Sequence, residues 1–353
     1  MRDLTDPTAG PHAVQLVVDT VIDALEAAWN IPVLRYRGDP VVPIRDHYDL
    51  LRYPADAVTR NRRYSRYVDA DRMLRAHTTA HIPALLRGLR EPEILLAVPG
   101  MCYRRDVIDR HHVAEPHHLD LWRVRRAGPP LGERDLTGMI DVVVGALLPG
   151  RPVTTPASPH PYTVDGREIY ADGIEIGECG IAHPEVLTTA GLPASASGLA
   201  MGLGLDRLTM LAKGVDDIRL LRSRDPRVAG QMTDLAPYRP VSSMPPVRRD
   251  LSVAVAADTD AEVLGDRVRG ALGPDAESLE EVAVLSETVY ADLPEPARDR
   301  LGIREGQKNV LVRLVIRHPD RTLTTAEANA IRDRVYGALH AGTVKLLTGK
   351  NSG

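Results

Sequence analysis

The chain has 353 residues, of which 26% are charged, with a net charge of −4, two cysteines and no phenylalanine. This length allows two domains that each bury a core, and the charge balance excludes nucleic-acid binding through the overall field, so that only local patches could serve. Two cysteines exclude a disulfide framework, and the lack of a membrane-spanning run or signal-peptide pattern predicts a cytoplasmic protein without a membrane partner.

The first 230 residues alternate between helical and extended patterns of apolar residues. The two strands expected within 167–181 turn at Asp172-Gly173, and the last helix of this part ends at Gly214. In chain order, the spacing predicts a helix over 12–30, strands over 93–105 and 117–126, a helix over 134–148, the strand pair within 167–181 and an apolar helix over 198–214.

A stretch rich in proline and serine, "QMTDLAPYRPVSSMPP", predicts a linker over 231–246. The elements predicted beyond it are a strand over 250–256, a helix from Asp260, strands over 277–290 and 308–317, a helix over 324–340 capped by Thr324 with Glu327, and a final strand over 343–348. This β-α-β-β-α-β order is that of the ferredoxin-like unit.

Charged residues cluster around the loop between the strands at 93–105 and 117–126. Arg104 and Asp106 precede the loop and Asp120 follows it. Because a guanidinium pairs with phosphate oxygens in a fixed fork, arginines on separate elements suit a polyphosphate. The alternative is a set of solvated surface charges.

These segments also carry a resemblance. "YRRDVIDRHH" followed by "HHLD" resembles motif 2 of the class II aminoacyl-tRNA synthetases, and "GLAMGLGLDRLTML" resembles motif 3. "LRAHTTAH", "ECGIAHPEVL" and "MPPVRRDLSVAV" are similar to segments of the phenylalanyl-tRNA synthetases, in the same order as in the single-chain, mitochondrial-type form. The resemblance covers about residues 12–345.

The resemblance implies an α+β fold in two domains. A class II catalytic domain over 1–230, an antiparallel sheet flanked by helices, would be joined by the linker to a ferredoxin-like anticodon-binding domain over 247–353. It further implies ATP-dependent activation of an amino acid and its transfer to tRNA. The single-chain form is monomeric, whereas most class II enzymes pair through motif 1, so both a monomer and a homodimer stay open.

For ATP, the resemblance implies catalytic roles for two arginines. Arg104 would hold the α-phosphate and stabilise charge as pyrophosphate leaves, and Arg207 would hold the γ-phosphate. His112 would lie near the outer phosphates, with Asp106 and Pro116 completing the ATP site. Magnesium would bridge the phosphates, but the sequence assigns no metal ligand.

For the other substrates, the resemblance implies two further groups of residues. Asp120 stands where the family has glutamate and would receive the substrate ammonium. The residues expected at the amino acid are His77, Thr79, His118, Asp120, His160, Tyr162, Thr163, Glu178, Cys179 and Ala200. Those expected at tRNA phosphates are Arg248, Arg249 and Lys308.

The departures from the family pattern concentrate at the amino acid. The family's Phe-Pro-Phe-Thr becomes "HPYT", Pro116 replaces the ring that stacks on adenine, and His118 and Glu178 replace glutamine and glycine. A general loss of phenylalanine explains Tyr162 but not His118 or Glu178. The sequence therefore favours a substrate that is more polar than phenylalanine, because a bare phenyl ring would leave these groups unpaired.

Two other functions stay open at this point. One is a tRNA-independent, adenylate-forming amide ligase of specialised metabolism, which the carboxy-terminal domain argues against. The other is a non-catalytic tRNA-binding paralogue. The change at Pro116 favours it slightly, and the retained Arg104 and Arg207 argue against it.

Overall fold

The computed structural model describes residues 2–241, 245–319 and 321–345. They form two compact units. The first comprises Met1–Arg104, Glu115–Asp216 and Ala229–Arg239, and the second comprises Arg105–Ala114, Asp217–Val228 and Pro240–Gly353.

Both units contain sheets. In chain order, the strands are β1 Val33–Arg35, β2 Val41–Pro43, β3 Arg72–Leu74, β4 Glu93–Met101, β5 His117–Arg125, β6 Val153–Thr154, β7 Thr163–Ala171, β8 Ile174–Ala182, β9 Ser197–Gly204, β10 Val247–Ala256, β11 Leu279–Val289 and β12 Gln307–Ile316.

Helices flank these sheets. They are α1 Ala13–Trp29, α2 Ile44–His47, α3 Ile82–Gly88, α4 Glu133–Leu147, α5 Pro184–Thr189, α6 Leu205–Lys213, α7 Pro226–Ala229, α8 Ala261–Leu272, α9 Glu295–Leu301 and α10 Thr325–Leu339. Within the described residues, no helix combines the length and the apolar character needed to cross a membrane.

The first unit is built on a seven-stranded sheet with the order β1-β4-β5-β9-β8-β7-β6. Every neighbouring pair is antiparallel except β1 and β4. The helix predicted over 12–30 forms as α1, because its apolar stripe is completely buried and packs against α4 and α6. This arrangement confirms the predicted antiparallel sheet flanked by helices.

The prediction of a helix over 198–214 is wrong for its first part. Only Leu205–Lys213 is helical, whereas Ser197–Gly204 is a strand between β5 and β8. Glycine or alanine occupies every second position of that strand, and a Cβ at Gly177 of β8 would collide with the backbone oxygen of Gly202. The small residues therefore permit close strand packing, and glycine in a strand often marks such an approach.

The second unit contains the three-stranded antiparallel sheet β10-β12-β11. Helix α8 begins after Asp260, whose side chain accepts from the Val263 N–H, and α10 begins with the predicted capping box between Thr324 and Glu327. One apolar core joins the sheet to both helices. The predicted order is confirmed as far as α10, and most of the final strand expected over 343–348 lies outside the described residues.

Segments from earlier in the chain pack within this second unit. Arg110, Arg219 and Arg317 converge on the buried carboxylate of Glu280, with Arg110 Nη2 at 2.6 Å and Arg317 Nε at 2.8 Å. Arg219 also pairs with Asp217 at 2.5 Å, so the three arginines meet two carboxylates in this unit.

Candidate active site

One face of the seven-stranded sheet carries four of the ten residues predicted at the amino acid, which are His118, Asp120, Glu178 and Ala200. Register places Asp120 of β5 opposite Gly202 of β9, and Gly202 opposite Glu178 of β8. A second row places Trp122 opposite Ala200. We call this surface the site face; it carries His118, Asp120, Trp122, Gly180, Ala200, Gly202 and Glu178.

Gly202 separates two carboxylates on the site face. A Cβ at this position would lie 3.7 Å from Asp120 Oδ2 and 3.7 Å from Glu178 Cγ. Because glycine contributes no side chain, both carboxyl groups border the same open space.

Asp120 is held by neutral donors. Thr79 donates its hydroxyl to Oδ2, and Trp122 donates its indole N–H to Oδ1 at 2.7 Å. The side chain is buried, and burial raises its pKa to about 7, despite these two hydrogen bonds and with a further increase from the charge of Glu178. Asp120 therefore binds a proton more readily than an ordinary aspartate, and a bound cation would favour its ionised form.

Glu178 has the opposite character. Tyr162 donates its hydroxyl to Oε1, and His160 Nε2 lies 3.0 Å from Oε2. Burial opposes ionisation, but the hydrogen bond and charge of His160 lower the pKa of Glu178 to about 2. The same pairing raises the pKa of His160 against the effect of burial. Glu178 is therefore ionised at neutral pH.

His160 is turned away from the open space of the site face. Its Nδ1 is buried, has no partner among the described residues, and lies 2.8 Å from where a Cβ on Gly166 would be. Its Nε2 forms an ion pair with Glu178. His160 thus supports Glu178, whereas the sequence predicted that it would contact the substrate directly.

Tyr162 and Thr163 follow at the start of β7. Tyr162 belongs to the apolar cluster that also contains Trp122 and Ala200, and its ring centroid lies 6.2 Å from that of Trp122. Thr163 packs where a Cβ on Gly180 would be, and its Oγ1 is buried without a partner among the described residues. Both residues thus lie beside the site face.

A stack of rings closes one side of the site. His77 stacks on His47 with centroids 4.0 Å apart and on Tyr53 at 5.7 Å, and Tyr53 lies 6.4 Å from Tyr162. Both ring nitrogens of His77 are buried and have no partner among the described residues. Burial, together with the charge of Arg104, lowers the pKa of His77 to about 4, against the opposing charge of Glu178, so the ring is neutral at pH 7.

The sequence interpretation missed His47 and Tyr53, because His47 ends a helix of only four residues and Tyr53 lies outside helices and strands, so neither is part of a periodic pattern. It also missed Trp122, which strand alternation from His118 and Asp120 could have indicated.

The expected ATP residues of the first unit are Arg104, Arg207 and Pro116. Arg104 follows β4, its Nε is buried without a partner in the described part of the chain, and its charge lowers the pKa of His118 after the larger effect of burial. Arg207 of α6 donates to the backbone oxygen of Glu175 and forms an ion pair with its carboxylate, both at 3.0 Å. Pro116 is buried, and its backbone oxygen accepts from Cys102.

Arg75 fixes the chain just before Arg104. Its Nε donates to the Met101 backbone oxygen at 2.9 Å, its Nη1 lies 2.9 Å from His81 Nε2, and its own backbone oxygen accepts from Tyr103. Arg75 is 3% exposed. This buried clamp lies within the quoted "LRAHTTAH" segment, but the sequence alone gave no reason to single out its arginine.

Cys179 of β8 does not lie on the site face, and two of the predicted ATP residues belong to the second unit. Cys179 pairs with Met201 and Arg167 in the ladder, so its side chain points to the opposite face from Glu178. Asp106 and His112 belong to the second unit, where Arg269 donates to the Asp106 backbone oxygen and Asp109 hydrogen-bonds His112. The placement of Cys179 argues against contact with the amino acid.

The expected tRNA residues differ in exposure. Arg248 is exposed, and Arg249 is half-buried with its Nε donating to Asn329 at 3.1 Å. Lys308 is buried and lies 2.6 Å from Glu287. Contact between Lys308 and a phosphate would require this ion pair to open, so the structure argues against that role.

No group of three or more His, Cys, Asp or Glu side chains within the described ranges could hold a metal ion. Mg²⁺ usually binds through one or two carboxylates together with substrate phosphates and water, so a nucleotide-borne ion needs no such group.

Two family models match the chain in succession. The model described as "tRNA synthetases class II core domain (F)" matches residues 23–232. The model described as "Ferredoxin-fold anticodon binding domain" matches residues 242–345.

The chain is also similar to curated relatives. The chain is 27% identical to "Probable phenylalanine--tRNA ligase, mitochondrial" of Drosophila melanogaster, over 85% of this chain and 76% of the relative. It is 26% identical to "Phenylalanine--tRNA ligase, chloroplastic/mitochondrial" of Arabidopsis thaliana, over 92% and 75%. It is also 32% identical to "Phenylalanine--tRNA ligase alpha subunit" of Prochlorococcus marinus (strain MIT 9313), over 65% and 69%.

Proposed function

The chain belongs to the family of class II tRNA synthetase core domains (F), followed by a ferredoxin-fold anticodon-binding domain, and from this we propose that it is a phenylalanyl-type aminoacyl-tRNA synthetase. It activates an amino acid with ATP and transfers the acyl group to a tRNA. The relatives named as phenylalanine–tRNA ligases support this proposal, since two of them extend over both domains.

The arrangement that carries the proposal is the site face with Arg104 next to it. An ammonium-binding carboxyl at Asp120 and a guanidinium with a free buried Nε are the two groups that an amino acid and a nucleotide phosphate require. The charge of Arg104 acts on two residues of this site, since it contributes to the lowered pKa of both His77 and His118.

The chemistry follows from these charges. The amino-acid carboxylate attacks the α-phosphorus of ATP, a bond forms between them, and the bond to pyrophosphate breaks. Arg104 stabilises the negative charge that develops at the α-phosphate, and Arg207 holds the outer phosphate. A terminal hydroxyl of the tRNA then attacks the acyl carbon and AMP leaves. When bound with ATP, Mg²⁺ would supply further neutralisation of phosphate charge.

The substrate side chain meets both rings and polar groups. Tyr53 and Tyr162 supply aromatic surface, and the neutral ring of His77 supplies a free donor and a free acceptor. We therefore propose an aromatic amino acid, either phenylalanine or a more polar analogue, and favour the analogue. Asp120, which accepts hydrogen bonds from the neutral donors Thr79 and Trp122, suits the α-ammonium that all amino acids share. It therefore does not distinguish between these substrates.

The remaining expectations belong to this proposal as well. We propose three parts with separate roles: a catalytic domain over 1–230, a linker over 231–246 and a tRNA-binding domain over 247–353. Within the carboxy-terminal domain, Arg248 is the better candidate for a tRNA phosphate because it is exposed and Lys308 is not. The monomeric or dimeric state and the cytoplasmic location stay predictions.

The proposal is tested by pyrophosphate exchange with a panel of amino acids. We expect exchange with an aromatic amino acid, and Arg104→Ala and Arg207→Ala should each lower its rate at least 100-fold, since loss of one charge-stabilising donor costs roughly that much. Arg134→Ala, which removes an exposed arginine on α4, is the matched control and should leave the rate unchanged.

Two outcomes would contradict the proposal. Absence of exchange together with tRNA binding would indicate a non-catalytic paralogue. Exchange followed by transfer to a small amine, with no transfer to any tRNA, would indicate an amide ligase.

A further inference from the structure

We propose that Glu178 accepts a hydrogen bond from the substrate side chain, so that the preferred substrate is an amino acid whose side chain carries a hydrogen-bond donor. This inference deepens the proposed function and rests on it. The donor class comprises hydroxyl, amino and ring N–H groups, and it excludes a bare phenyl ring.

The first support is that Glu178 faces open space while its partners do not. Its side chain is 39% exposed, whereas that of His160 is 11% exposed and Tyr162 is buried. His160 and Tyr162 therefore hold the carboxylate from behind, and its remaining surface points to where a ligand would lie.

The second support is the count of acceptor positions. An ionised carboxylate offers about four acceptor positions, and Tyr162 and His160 occupy one each. A phenyl ring over the remaining positions would remove their water and supply no donor, which costs roughly 1–3 kcal/mol, or more for a charged group. A side chain with a donor avoids this loss.

The third support is the separation of Glu178 from the ammonium position. Asp120, with Thr79 and Trp122 as its partners, lies two strands away across Gly202, roughly 10 Å between backbones. One amino acid bound along this row would place its ammonium at Asp120 and its side chain toward Glu178. The two carboxylates would thus contact different ends of one molecule.

His160 and Tyr162 are positioning residues in this scheme, because each acts through Glu178. His160 also balances the charge of Glu178, so the pair presents an acceptor with little net charge. A neutral donor therefore suits the position better than a full cation does.

The test compares matched substrates in pyrophosphate exchange. The panel contains phenylalanine, tyrosine, meta-tyrosine, para-aminophenylalanine and histidine. We expect the wild type to prefer at least one donor-bearing member over phenylalanine by tenfold or more in kcat/KM. Glu178→Gln should erase most of this preference, and Glu178→Gly should shift it toward phenylalanine.

The control is Glu26→Gln, which makes the same change at an exposed position of α1 and should preserve the preference. His160→Gln retains a donor toward Glu178 and should keep much of the preference, whereas His160→Phe should lose it. These changes should appear in the KM for the donor-bearing substrate, with the KM for ATP unchanged. Thermal melting of each variant verifies folding.

The failing outcomes are distinct. Wild-type exchange that prefers phenylalanine would overturn the inference and leave the proposed function standing. An equal loss for all substrates in folded Glu178→Gln would overturn it as well, because Glu178 would then be structural only. Absence of exchange with every amino acid would overturn the proposed function and this inference together.

Discussion

Asp120 and Glu178 are carboxylic acids on one sheet face, on opposite sides of Gly202, yet their surroundings shift their pKa values in opposite directions. Asp120 receives hydrogen bonds only from neutral groups, and burial raises its pKa to about 7. Glu178 receives them from a tyrosine and a histidine, and the positive histidine lowers its pKa to about 2 despite burial. The charge of a carboxyl group at this site is thus set by its partners, and each charge suits a different part of a substrate.

The difference separates two tasks. A carboxyl that can be proton-bound becomes fully charged only when a cation is present, which suits the ammonium that every amino acid carries. A carboxylate that is ionised and paired with a histidine suits discrimination between side chains. A ligand without a hydrogen-bond donor would leave its free acceptor positions unpaired.

The largest effect is expected when Asp120 can no longer bind the ammonium of the amino acid. Asp120→Asn should raise the KM for the amino acid roughly 100-fold, since removal of one member of a buried ion pair costs about 2–5 kcal/mol. The KM for ATP should change much less. Steady-state pyrophosphate exchange measures both, and Asp141→Asn on the exposed side of α4 is the matched control. An unchanged amino-acid KM would show that the ammonium binds elsewhere.

The second prediction uses pH to separate the two carboxyl groups. Below pH 7, a proton on Asp120 competes with the substrate ammonium, so the amino-acid KM should rise about tenfold per pH unit as pH falls. Above pH 7 the KM should level off. Asp120→Asn should abolish the slope. Glu178→Gln should retain a slope that begins at a lower pH, because the charge of Glu178 raises the pKa of Asp120. A slope that persists in Asp120→Asn would assign the titration to another group.

The smallest expected effect is on stability, and it has opposite signs at the two residues. The folded pKa of Asp120 lies above its ordinary value of 3.8, so its contribution to stability is complete below that value and is lost as pH rises through about 7. The folded pKa of Glu178 lies below its ordinary 4.5, so its contribution is present above pH 4.5 and is lost as pH falls toward 2.

Melting curves between pH 4.5 and 7.5 measure this contrast in the absence of substrate. Asp120→Asn should melt higher relative to the wild type as pH rises, by about 2–4 °C for each 1 kcal/mol of difference. Glu178→Gln should melt lower than the wild type throughout. Equal shifts of the same sign in both variants would contradict the two charge states.

Periodicity predicted the elements whose environment is uniform along their length. The apolar stripe over 12–30 and the capping box at Thr324 both depend on neighbours within a few residues, and both are present in the structure. The stretch 198–214 was mispredicted in part, because its glycines suit a helix interface and a crowded strand equally well. Residues 197–204 form a strand because they pair with β5 and β8, and this pairing joins parts of the chain that are distant in sequence.

The site shows the same division. The sequence by itself determined the family, the two-domain order and the presence of unusual residues such as Glu178 and His160, since motifs and departures are local in the chain. Only the tertiary structure decided that His160 supports Glu178, that Cys179 points to the opposite face and that Tyr53 joins the site. The physical reason is that strand register and ring stacking fix these relations through contacts between residues far apart in the sequence, and a charge state follows from such contacts.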